Sequence, residues 1–362
     1  DQAAAMILGI VDTHKGGTQG APKFPQPSLF QFLWHAHRRT GAGPFREAVT
    51  TTLDHLCQGG IYDHLGGGFA RYSTDEVWLA PHFEKMLYDN ALLVELLSDV
   101  WPQTKSPLYA VRVRETIDWA LREMRSADQG PFGFTSALDA DSEGREGKFY
   151  IWTEEEVDGV LGPDGGVFKE IYGVAPGGNW EGHAILNRSK DLRLGNDDQE
   201  RRLLGAREKL LTVRAGRVRP QRDDKVLADW NGLMIAALAK AGAVFDQPPW
   251  MDAAEAAFAF VRGHMVEDGR LRHSWRSGSL RHAAVLDDYA NMARAALALH
   301  EATGNPDYLD QARTWADDVH THYRDDGGAG YFLSATDADD VIVRTKSIAD
   351  AAIPPGNGTM VE

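Results

Sequence analysis

The chain has 362 residues, with 38 Lys and Arg against 53 Asp and Glu and a formal net charge of −15. With 43% hydrophobic and 25% charged residues, it can bury a sizeable core, which argues against extensive disorder. The acidic balance argues against a nucleic-acid partner, because phosphate binding needs a dense basic surface. No run approaches the roughly 18 apolar residues of a membrane span.

Helical pairs recur along the chain. Pro27 to Thr40 and Pro44 to Gln58 are predicted helices, followed by a glycine-rich segment from Gly59 to Phe69. The single cysteine, Cys57, lies on the apolar stripe of the second. It excludes both an intrachain disulfide and a cysteine-based zinc site. A second pair, His82 to Trp101 and Pro107 to Arg125, ends at Gly130 to Phe134. Thr153 to Pro220 breaks the rhythm, with a short helix over Glu154 to Leu161 and a longer one over Gln199 to Val213. A third pair, Asp224 to Val244 and Pro249 to Met265, ends at Asp268 to Leu271. A fourth, Asp287 to Glu301 and Pro306 to Tyr323, ends at Gly327 to Phe332, and a fifth unit starts near Ala352 to Asn357.

Such repeats are stacked units, none able to bury its apolar face alone. The first helix of a pair is apolar nearly all round, as in Ala91 to Leu97 and Leu233 to Ala239, and so is enclosed by neighbours. The second is one-sided: Tyr308, Ala312, Trp315, Val319 and Tyr323 make one stripe. Inner and outer layers of this kind describe an all-α fold, an (α/α)6 toroid of helical hairpins with short β-hairpins in the loops. Residues 1–362 are expected to form one such domain, with 153–220 inserted on the loop side.

The inner helices open with polar and aromatic residues. His82, Lys85 and Asp89 are spaced to share one helical face, and Glu84 and Tyr88 an adjacent one. Asp224-Lys225 and then Asp229-Trp230-Asn231 head another helix; Asp287-Asp288-Tyr289 heads a third. In a toroid these heads converge at one mouth, where helix N-termini also present unpaired N–H groups. Carboxylates, amides and aromatic faces together suit a sugar: hydroxyls hydrogen-bond, and the C–H face of the ring stacks. An acid at a helix start also serves as a simple cap, which is the plain alternative for Asp224 and Asp287. Asp139 to Gly144 is spaced like the start of a calcium loop, but Tyr150 occupies the position that needs a bidentate Glu. Asp139 and Asp141 are therefore placed on a loop over the cleft, joined by Trp152 and Glu181. No phosphate-binding glycine loop, nucleophile elbow or His-Glu-x-x-His occurs, and neither a cofactor nor a metal is expected.

Ala21 to Pro25, Gly59 to Thr74, Pro81 to Asn90, Asp139 to Trp152, Asp223 to Asn231, Asp287 to Tyr289 and Pro354 to Asn357 carry a family resemblance. The chain resembles the toroid portion of the spermatogenesis-associated thioredoxin-like protein family, which joins a thioredoxin-like domain to a six-hairpin, glycosidase-like domain. The resemblance implies a fold shared with N-acylglucosamine 2-epimerases, cellobiose epimerases and several glycoside hydrolases, without naming a reaction. It also implies a thioredoxin-like domain as a partner in the full-length protein and further hairpins after Glu362, so the toroid is expected to be incomplete at its C-terminus. With no basic-then-apolar leader, a cytoplasmic location is expected.

The expected function is a sugar epimerase or isomerase, with His82 as base and a carboxylate as its partner. Glycoside hydrolysis by two acids drawn from Glu84, Asp89, Asp139, Asp141, Asp224 and Asp288 is the alternative. A non-catalytic binding module is a third. Candidate sugar-binding groups are Tyr62, Asp63, Arg71, Lys85, Tyr88, Trp152, Glu181, Lys225, Trp230, Asn231, Asp287, Tyr289 and Asn357. An acidic mouth favours neutral polyols over sugar phosphates.

Overall fold

The computed structural model describes residues 2–127, 129–338 and 341–361. In chain order the elements are α1 (Gln2–Leu8), α2 (Pro27–Thr40), α3 (Gly43–Gln58), β1 (Tyr72–Ser73), β2 (Pro81–His82) and β3 (Lys85–Met86). Next come α4 (Leu87–Thr104), α5 (Pro107–Glu123), β4 (Ala137–Leu138), β5 (Asp141–Ser142), β6 (Arg145–Glu146), α6 (Glu154–Leu161), α7 (Gly165–Tyr172) and α8 (Asp197–Ala215). The rest are β7 (Arg222–Asp223), β8 (Val226–Leu227), α9 (Ala228–Val244), α10 (Pro248–His264), β9 (Val266–Glu267), β10 (Arg270–Arg276), β11 (Ser279–Ala283), α11 (Leu286–Thr303), α12 (Pro306–His322) and α13 (Gly356–Thr359).

These elements form two compact units, each discontinuous in sequence. One comprises Asp1–Met86, Asp99–Trp119 and Leu138–Arg222; the other comprises Leu87–Ser98, Ala120–Ala137 and Asp223–Glu362. In the first unit α2 packs on α3 as a hairpin, with α1 against both. Proline near the start of each helix of this pair presets φ and forfeits only an N–H that has no intrahelical partner. Cys57 is fully buried on α3, and burial pushes its thiol well above the usual range. The β5–β6 hairpin is antiparallel, with Asp141 opposite Glu146. The inserted segment packs Val157, Leu161, Phe168, Tyr172, Leu203 and Leu210 into one apolar cluster with Leu65 and Trp152. Thr153 starts α6 with a capping box: its hydroxyl accepts from Glu156 N at 3.1 Å, and Glu156 Oε2 accepts from Thr153 N at 2.8 Å.

In the second unit α9 packs against α10 and α11, and α11 against α12 and α13. The inner helix α9 buries residues on every side, among them Leu233, Met234, Ile235, Ala236, Ala237 and Leu238. The outer helix α12 buries only Ala312, Trp315 and Val319, a single stripe. Asn305 caps α12, its side chain accepting from Asp307 N at 3.0 Å, a contact worth about 1 kcal/mol. The inner helices start differently. Met86, Leu227 and Val285 enter α4, α9 and α11 in extended conformation, and each helix then carries an acid in its first turn: Asp89, Asp229, or Asp287 and Asp288. The helix dipole favours negative charge there. Among the described residues no helix is long and apolar enough to cross a membrane.

Candidate active site

Strand β10 pairs antiparallel with β8, Ser274 opposite Leu227. Because β8 runs straight into α9, that register sets His273, on the neighbouring position of β10, beside the first turn of α9. Asp288 reaches the same point from α11. Its carboxylate is fully buried and takes four hydrogen bonds. Oδ2 accepts from Val285 N at 2.8 Å, Oδ1 accepts from Asp229 N at 3.0 Å, and His273 Nδ1 lies 3.0 Å from both oxygens. A carboxylate only accepts, so His273 carries its proton on Nδ1 and turns Nε2 away from Asp288. The carboxyl of Asp229, 6% exposed, accepts from Trp230 N at 2.8 Å.

The electrostatics follow from this packing. Burial, and then the charge of Asp288, push the Asp229 carboxyl far above the ordinary carboxylate range. The hydrogen bond to Asp288 raises the His273 imidazole despite its burial, with the charges of Asp288 and Asp229 adding to the effect. Burial also raises Asp287, although its carboxylate accepts from Gly356 N at 2.6 Å. One ligand atom from each of Asp229, His273 and Asp288 falls within 4.8 Å of the others. Two carboxylates and an imidazole suit a divalent cation; with Nδ1 of His273 engaged by Asp288, the imidazole would offer a cation its other nitrogen, Nε2. The surrounding aromatic residues are pinned: Trp230 meets Tyr88 edge-on at 4.8 Å, and Tyr289 OH accepts from Leu271 N at 3.2 Å and Arg270 Nε at 3.3 Å.

No protein-family model matches the chain. Human spermatogenesis-associated protein 20 is 33% identical over 394 residues, covering 96% of this chain and 50% of its own length. Over nearly its whole length the chain is a homologue of spermatogenesis-associated protein 20. It spans about half the length of the curated relatives it matches. Two solved structures share the arrangement of helices. An unsaturated glucuronyl hydrolase specific for heparin aligns with a TM-score of 0.55 at 10% identity, over 98% of this chain and 74% of its own. A family 76 glycoside hydrolase, a mannosidase from Bacteroides thetaiotaomicron, aligns at 0.53 and 10% identity, over 89% and 72%. The chain therefore has the six-hairpin, (α/α)-toroid fold.

The other candidate residues lie in several places. His82 is not in a helix: it sits in β2, opposite Tyr72. Lys85 is in β3, and only Asp89 and Tyr88 belong to α4. The shared helical face expected for His82, Lys85 and Asp89 does not form, because the backbone stays extended through Met86. His82 Nδ1 meets Glu146 Oε1 at 2.6 Å, Nε2 lies 3.7 Å from Glu84, and Arg71 donates to Glu84 at 3.0 Å. The Asp63 side chain is 7% exposed and saturated, with Arg214 donating to both oxygens at 2.8 Å and Lys85 to one at 2.8 Å. Tyr62 is buried and donates to Glu115 at 2.8 Å; Trp152 is buried in the inserted cluster, under Arg217.

Asp139 and Asp141 are exposed at the β5–β6 hairpin, and Glu181 is exposed in the inserted segment. Asp224 lies ahead of α9 rather than in it, paired with Arg276 at 2.5 Å, and Lys225 pairs with Asp223 at 2.6 Å. Asn231 spends its whole amide on the backbone: Oδ1 accepts from Phe134 N, and Nδ2 donates to Phe134 O and Leu227 O. Asn357 is similarly tied to Tyr331 and Ser347. Two members of the central cluster, Asp229 as an acid and His273, are not among the sequence candidates. Asp229-Trp230 repeats the acid–aromatic pair of Asp288-Tyr289, a signal that could have singled out Asp229. His273 has no such mark, because only strand register brings it there.

Proposed function

We propose that this chain is the toroid of a carbohydrate-active enzyme that moves a proton on a reducing sugar, as an epimerase or isomerase, at Asp229 and His273. The observation that carries this is that one buried carboxylate, Asp288, orients both partners: it accepts from the backbone N–H of Asp229 and from Nδ1 of His273. Asp288 has little accepting capacity left and acts as a positioning residue. Asp229, raised toward the working pH, makes a strong carboxylate base when ionised. His273, raised as well, holds a proton on Nε2 that can be donated to a carbonyl oxygen. Asp229 then takes the proton alpha to the carbonyl while the Nε2–H of His273 protonates the developing enolate oxygen. Asp229 gives its proton back at C1, which isomerises the sugar, or at the other face of C2 after the enediol turns, which epimerises it. His273 recovers its proton from the oxygen as the carbonyl reforms. His82 is less suited, since both ring nitrogens face carboxylates. The toroid fold, found in the two sugar hydrolases above, supports a sugar as the ligand by analogy only.

A second reading, retaining glycoside hydrolysis, draws on two carboxylates whose oxygens lie within 4.8 Å, near the roughly 5 Å of retaining enzymes. The full hydrogen-bond complement of Asp288 weighs against it as a nucleophile. The test is proton NMR in D2O with D-mannose, N-acetyl-D-glucosamine and cellobiose. Loss of the C2–H signal is expected, slowed by about 10²-fold or more in Asp229→Asn. Absence of exchange with all three sugars overturns the first reading. Release of p-nitrophenol from p-nitrophenyl glycosides, lost in Asp229→Asn, would establish the second.

A further inference from the structure

Asn291 stands three residues beyond Asp288 on α11 and is 1% exposed. Neither Oδ1 nor Nδ2 finds a hydrogen-bond partner among the described residues. A buried amide left this way is less favourable than an apolar side chain of the same shape. Asn231, three residues into α9, shows the contrast, because Phe134 and Leu227 satisfy it completely. Folding accounts for the amide of Asn231 and leaves that of Asn291 unaccounted for.

Its position supplies the account. Three residues rise about 4.5 Å along a helix, and helical side chains lean toward the N-terminus. The Asn291 amide therefore leans toward Asp288 and the first turn of α9. The facing residue on α9 is Gly232, itself three residues beyond Asp229. A Cβ there would fall 2.6 Å from the Asn291 carbonyl carbon and 2.9 Å from its Cβ. At this level α9 offers Asn291 no side chain at all.

We propose that Asn291 contacts the ligand, its amide taking a pair of hydroxyls on a neutral sugar held at the Asp229–His273 centre. This rests on the acid–base reading for the location of the sugar. An amide offers a donor and an acceptor together, and hydroxyls answer both; an anionic group would instead meet Asp229, Asp287 and Asp288.

The experiment follows melting of the full chain against rising D-mannose, N-acetyl-D-glucosamine and cellobiose, for wild type, Asn291→Leu, Asn291→Ala and Asp229→Asn. At least one sugar is expected to raise the wild-type Tm, and both Asn291 variants should need about tenfold more of it or greater for the same shift, a loss of one contact of hydrogen-bond size. Without sugar, Asn291→Leu should melt no lower than wild type. Should Asn291→Leu fail to fold, the concentration dependence in Asn291→Ala decides. Unchanged sugar dependence in the folded variants overturns the proposal, as does the absence of any shift in wild type. Binding that depends on Asn291 without proton exchange sinks the acid–base reading alone. Exchange lost in Asp229→Asn but indifferent to Asn291 sinks this proposal alone.

Discussion

Two backbone N–H groups and an imidazole converge on Asp288, and none of these donors has an obvious substitute. Asp288→Ala is expected to cost about 3 kcal/mol, the penalty for leaving buried donors unmet. It should also drop the His273 pKa toward the free value of about 6.5. Urea unfolding and NMR titration of the His273 ring would check both. The raised pKa values of His273 and Asp229 have the same sign in stability. The folded protein holds each proton to higher pH than the unfolded chain, so folding is favoured where the proton is bound. For His273 the contribution is complete below about pH 6.5 and is lost as pH rises through its raised folded value. For Asp229 the loss begins near pH 4 and ends once the buried carboxyl ionises. Stability should therefore fall from mildly acidic toward alkaline pH. Asp229→Asn should flatten the lower part of that slope and His273→Gln the upper part, measured as urea midpoints across the range.

At Gly232 two element-scale effects oppose each other. Replacing a helical glycine with alanine ordinarily gains about 1 kcal/mol of helix propensity. Here the new methyl would lie 2.6 Å from the carbonyl carbon of Asn291, so α9 and α11 must part. Overpacking of that kind costs about 1–3 kcal/mol, and the contact falls on backbone, which cannot rotate away. Gly232→Ala is thus expected to be destabilising on balance, read as a lower melting temperature. The same elements show what the sequence could disclose. The enclosed helix α9 and the one-sided α12 are visible as composition, and the start of α6 follows Thr153 and Glu156. What fails is the lead into α4, where His82, Lys85 and Asp89 keep helical spacing in an extended segment. Sequence spacing carries no information about where the helix actually begins. The acid–aromatic heads of α9 and α11 were legible, but the meeting of their acids with His273 depends on the pairing of β8 with β10. That strand pairing is non-local, so no local pattern announces it.

Across the whole molecule, the second unit gathers three separate stretches of chain. Its interior depends on the short ones. Asn231 needs the backbone of Phe134, and the buried Glu95 of α4 joins Lys240, at 2.9 Å, and Arg294. A fragment of residues 223–362 loses all of these, together with the inner helix α4. It is expected to show helical circular dichroism without a cooperative thermal transition, whereas the full chain should unfold sharply. The burial of Cys57, the chain's sole thiol, has a practical outcome at this scale. Maleimide dyes should ignore the native protein, leaving an empty background for a cysteine introduced elsewhere. Ser279 is exposed on β11, the strand hydrogen-bonded to the one carrying His273. A fluorophore placed there through Ser279→Cys would let binding at the proposed Asp229–His273 site be tested as an optical signal in real time.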